Sequence, residues 1–115
     1  MDESKIKESI QGHVARNREL KNLLAEKGID LVETRIVDLH FWASNEKAAN
    51  DLALALDLIG YPTTKTSRSN GSDLWNVESQ VEASPLAVTD RFFVERLVRL
   101  AADHEAEFDG WGTAI

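Results

Sequence analysis

The sequence contains no cysteine, two prolines, one methionine and one tyrosine in 115 residues. Without thiols there is no disulfide and no thiolate nucleophile, and any zinc site would rest on histidine and carboxylate alone. No apolar run reaches the roughly eighteen residues that mark a membrane-spanning helix. The opening Met1-Asp2-Glu3-Ser4-Lys5 lacks the apolar core of a secretory signal, so a cytoplasmic setting is expected. Basic side chains are also in short supply, 13 against 20 acidic ones, for a net charge of −7. That balance keeps a small domain soluble, disfavours direct binding to nucleic acid and favours basic protein partners.

What is present suffices for one modest core, with 43% hydrophobic and 29% charged residues. Residues 1–115 are therefore read as a single domain, with an N-terminal helix in 1–28 and an α+β core in 29–115. Residues 1–28 hold six basic and five acidic groups, so nearly all the negative surplus lies in the core.

Residues 4–27 have the period of an amphipathic helix, with Ile6, Ile10, Val14, Leu20 and Leu24 on one broad face and His13 and Asn17 among them. Gly28 is placed to end it. Residues 33–43 alternate as a half-buried strand: Val37, Leu39, Phe41 and Ala43 point one way, and Thr34, Ile36, Asp38, His40 and Trp42 the other. Ser44 is positioned to cap a helix reaching about Ile59, with Ala48, Leu52, Ala55, Leu56 and Ile59 buried; Leu54 and Leu58 suggest cover on a second flank. Gly60 closes that helix, and Tyr61–Arg68 reads as a threonine-rich strand with Pro62 at its entry. Ser69-Asn70-Gly71-Ser72 predicts a type I′ hairpin. The next strand, 74–82, turns Trp75, Val77 and Val81 inward and Asn76, Glu78, Gln80 and Glu82 outward, until Ser84-Pro85 breaks it. A last helix, capped by Thr89 or Asp90 and reaching about Ala106, buries Phe93, Leu97, Leu100, Ala101 and His104, with Phe92 and Val98 off its stripe. Phe108–Ile115 is a candidate for a short final edge strand.

The order, a helix and then β-α-β-β-α, predicts a ferredoxin-like α+β sandwich with helices on one face of an antiparallel sheet. The other face would show Asp38, His40, Trp42, Asn76, Glu78, Gln80 and Glu82 unless the first helix folds over it.

That face lacks the basic and aromatic character of an RNA-recognition sheet, because Trp42 is its one platform and Asp38, Glu78 and Glu82 repel phosphate. Asp38 and His40, two apart on one strand, would suit a carboxylate-oriented general base of a small hydrolase. No serine or threonine sits in a nucleophile-elbow pattern, so an exposed sheet pair is the reading adopted. His13, His40 and His104 are too dispersed for a metal motif. No glycine-rich phosphate loop opens a helix. No enzyme activity, cofactor or metal is expected, and Arg16, Arg18 and Lys21 on the first helix are read as a solvated cluster.

The most distinctive stretch is Phe108-Asp109-Gly110-Trp111-Gly112-Thr113. Chain ends fray unless tied down, and a tryptophan between two glycines has a large ring to bury and an N–H to satisfy. It reads as a docked plug, with its ring packed against the last helix or against a partner. This hexapeptide resembles the closing signature of the regulator of ribonuclease activity B family, the protein inhibitors of ribonuclease E. Leu58-Ile59-Gly60-Tyr61 is similar to the family's helix-end pattern, Leu23-Leu24 through Gly28 to its first-helix ending, and Leu97–Ala102 to its last helix. The likeness covers about residues 20–113. It implies a ferredoxin-like fold and a non-catalytic protein that binds ribonuclease E and modulates RNA decay. Well-known members continue into a highly acidic extension, whereas the sequence here ends at Ile115. If that extension takes part in binding, weaker inhibition is the expectation.

Strand alternation, independently of the resemblance, picks Asp38, Glu78, Glu82 and Asp109 as charge contacts to a protein partner and Trp42 and Trp111 as apolar anchors. An immunity-type module neutralising a partner toxin is the alternative on the same fold.

Overall fold

The computed structural model describes residues 2–114. Helix α1, Glu3–Glu26, begins where the Asp2 carboxylate accepts the Lys5 N–H at 2.9 Å. Strand β1 (Arg35–Ala43) leads into α2 (Glu46–Leu58), β2 (Thr63–Arg68) and β3 (Trp75–Ala83). A single turn, α3 (Pro85–Val88), precedes α4 (Arg91–Ala102) and β4 (Ala106–Thr113). Ile115, the last residue of the expected terminal strand, lies outside the described residues.

Among the described residues the sheet has four strands in the order β2-β3-β1-β4, every neighbouring pair antiparallel. With crossovers through α2 and α4, this is the expected ferredoxin-like arrangement. Val37, Leu39, Phe41, Ala43 and Val77 are fully buried beneath Leu52, Leu56, Val94 and Leu97 of the helices. Helix α1 joins that same layer: Ile6 and Ile10 enter the core, and Arg99 of α4 grips Glu3 through two hydrogen bonds of 2.8 and 3.0 Å. The opposite sheet face is thus left uncovered by α1.

Several local expectations are corrected. Asn45, not Ser44, caps α2, its side chain accepting the Ala48 N–H at 2.8 Å. Leu54 and Leu58 are 60% and 79% exposed, so α2 is covered on one flank only. Val98 is buried with Val94, because α4 sits between α1 and α2 and its apolar stripe is correspondingly broad. Helix α4 stops at Ala102, since Glu105 already has left-handed backbone at φ 53° and the chain enters β4. The β2–β3 connection runs from Ser69 to Leu74, closed by a 2.8 Å bond between those residues. Gly71 but not Asn70 has positive φ there, which rules out the type I′ turn. Asp90 is the cap of α4.

Candidate functional site

Two neighbouring features emerge, a clamp that fixes the terminal hexapeptide and an open polar sheet face. The clamp depends on a bulge. Strand β4 pairs Phe108 with Phe41 and Gly110 with His40, leaving Asp109 as an extra residue. In a regular strand, residues three apart point to opposite faces. The added residue turns both Phe108 and Trp111 toward the helices, as bulges characteristically re-aim side chains. Gly110 supplies the φ of 137° that the distortion requires. Gly112 has ordinary backbone and room for a methyl group, and nothing in the structure explains glycine there.

Helix α1 meets both aromatics with polar residues one turn apart. The half-buried Trp111 donates its indole N–H to Asn17 Oδ1 at 2.9 Å. His13 lies against the Phe108 ring, with centroids 4.8 Å apart, and its Nε2 is 2.8 Å from the Phe108 carbonyl oxygen. A carbonyl only accepts, so Nε2 carries the proton; Arg16 Nη2 then donates to Nδ1 at 2.9 Å. The neutral ring satisfies both partners. Burial, reinforced by the Arg16 charge, holds His13 below the ordinary imidazole range against the opposing pull of the Phe108 carbonyl and Asp109. Thr113 completes the attachment by donating its hydroxyl to the Ile36 carbonyl at 2.7 Å.

The upstream signature residues are also structural. Gly60 follows α2 with φ 86°, and the Tyr61 ring packs 6.2 Å from Phe93 with Arg96 above it. The Tyr61 carbonyl accepts the hydroxyl of buried Ser79 at 2.8 Å.

The open face brings together Asp38, Trp42, Glu78 and Glu82. Their β1 and β3 neighbours alternate with core residues, and Glu107 of β4 stands opposite Trp42. Asp38 accepts from Gln80 Nε2 at 3.0 Å, while His40 Nδ1 lies 3.2 Å from Glu78 Oε1. The carboxylate beside His40 is therefore Glu78, and Asp38 does not orient it as the hydrolase reading requires. Asp109 is exposed on the bulge, and Trp111, opposite core-facing Leu39, points away from the open face. Sequence reasoning missed the His13–Arg16 and Asn17–Trp111 contacts. Their available signal was two polar residues set within the apolar stripe of α1.

The geometry defines a small acidic ferredoxin-like domain with one sheet face packed and one bare. Residues 15–113 match the family model described as regulator of ribonuclease activity B, and the chain belongs to that family. A regulator of ribonuclease activity B from Pseudoalteromonas translucida (strain TAC 125) is 27% identical over 100 residues, covering 84% of this chain and 90% of that relative. The family consists of regulators of ribonuclease activity.

Proposed function

We propose that this protein binds ribonuclease E in the cytoplasm and lowers its action on RNA without catalysing a reaction itself. Membership of the ribonuclease-regulator family carries the reading. Residues 1–115 act as one unit, α1 being part of its core. Contact is with the protein partner and not with nucleic acid, consistent with a net charge of −7. Asp38, Glu78, Glu82 and Asp109 steer a basic region of the enzyme toward the open face, and Trp42 anchors it; complementary charge speeds encounter and buried aromatics lengthen residence. Trp111 contributes by holding β4 in register, its indole being engaged by Asn17.

The test is affinity capture from nuclease-treated lysate with wild type and with the Asp38→Lys, Glu82→Lys double variant, both checked for folding by circular dichroism. Ribonuclease E is expected with wild type and strongly depleted with the variant. Its absence from the wild-type eluate, although expressed, would sink the reading.

A further inference from the structure

The open face ends beside Trp42 in a groove of about 470 Å³. Trp42, Leu74 and Ala106 give it apolar walls, and Glu105, Glu107 and Lys5 stand around them. Leu74 is 43% exposed, and Glu105 and Glu107 are exposed side chains. Among the described residues neither glutamate forms an ion pair.

Helices α1 and α2 are each followed by a glycine with left-handed φ, Gly28 at 76° and Gly60 at 86°. After α4 the left-handed residue comes one position later and is not glycine but Glu105, at φ 53°. A side chain pays for that geometry in strain, and such positions gather at functional sites. Here it sets a carboxylate at the groove rim.

An aromatic floor with two carboxylates against the single ammonium of Lys5 at the rim matches one side-chain chemistry well. A guanidinium is planar, stacks on indole and presents several N–H donors to carboxylates, whereas an ammonium offers a compact, strongly hydrated charge. We propose that the groove receives an arginine of an extended basic segment of the partner protein. The following basic residues of that segment lie along Glu78, Asp38 and Glu82. This rests on the reading of the chain as a protein-binding ribonuclease regulator, and adds which side chain is recognised and where.

The probe is a fluorescein-labelled peptide of alternating arginine and alanine, compared with its lysine counterpart by fluorescence anisotropy at low salt. The arginine peptide is expected to bind several-fold more tightly, and Trp42→Leu and Glu107→Gln to weaken it by about five- to tenfold each. A Glu19→Gln, Glu26→Gln control on α1 should change affinity by less than about twofold, as remote screened charges do. Equal binding of the two peptides, or equal losses in groove and control variants, would overturn the assignment. Should Trp42→Leu disturb the fold, Glu107→Gln alone decides, because that side chain is solvent-exposed. Capture of ribonuclease E at wild-type level by the Glu107→Gln protein would likewise reject the groove while leaving the partner reading intact. Selective arginine-peptide binding by a protein that captures no ribonuclease E would support the groove and remove the partner reading.

Discussion

Strand β1 presents Val37, Leu39, Phe41 and Ala43 to the helices and Asp38, His40 and Trp42 to solvent, so one stretch of chain serves two unlike surfaces. On the covered side of β1, Val37, Leu39, Phe41 and Ala43 have zero exposure and belong to the core. On the bare side, polar groups pair locally, Asp38 with Gln80 and His40 with Glu78, and among the described residues no helix lies over them. The covered face holds the hydrophobic core, while the open face adds local polar pairs. The clamp ties β4 to the covered side, because its bulge sends Phe108 and Trp111 inward while Asp109 stays exposed.

The strongest way to break this contrast is to truncate adjacent aromatics of β1. Phe41→Ala should lose about 3–5 kcal/mol, as buried phenylalanines do, whereas Trp42→Ala should lose no more than about 1.5 kcal/mol. Urea unfolding followed by far-ultraviolet circular dichroism makes the comparison. Similar losses at both positions would show that the open face is also a structural one.

The clamp comes next in size. Trp111→Phe keeps a ring but strips the indole N–H from Asn17, so about 1–2 kcal/mol should go. Combining it with Asn17→Leu should cost less than the sum of the single changes, since each alone strands a polar partner. Strict additivity in the same unfolding assay would mean the 2.9 Å bond contributes no coupling.

A smaller gain is expected at the helix end. Glu105→Gly relieves left-handed backbone and should raise stability by about 0.5–1 kcal/mol. Scanning calorimetry would register an upward shift in Tm. No gain would indicate that the glutamate side chain offsets its own strain.

The mildest effect is a pH slope. His13 binds its proton less readily in the folded protein than in the unfolded chain, whose reference value is 6.5. Its stabilising contribution is therefore complete above 6.5 and declines as pH falls through that value toward the lower folded pKa. His13→Gln should flatten this portion of the stability–pH curve, and an unchanged slope would show that other groups govern it.

The sequence carried the fold well where periodicity was clean. The β1 and β3 alternation and the polar insertion in α1 are legible from spacing; Trp111 reads as a tethered ring, but its indole is held by Asn17 of α1 and not by the last helix or a partner. It misled where neighbours decide the outcome. Leu54 and Leu58 look buried by composition, yet among the described residues no element covers their flank of α2; Val98 looks peripheral until α1 packs beside α4. The Asn70-Gly71 turn signal was real as a turn, but the longer Ser69–Leu74 loop selected another conformation. Of the site, Asp38, Trp42, Glu78 and Glu82 were readable as one face. Glu107 was not, because its alignment with Trp42 depends on the Asp109 bulge, and local alternation does not reveal a bulge.

The most direct measurement of the account is the rate at which purified ribonuclease E cleaves an RNA substrate as this protein is added. Wild type and a Glu19→Lys, Glu26→Lys variant on α1 should inhibit alike, while Asp38→Lys, Glu82→Lys on the open face should need at least about tenfold more protein. Equal inhibition by the open-face variant, or no inhibition by wild type, would contradict ribonuclease control through this surface.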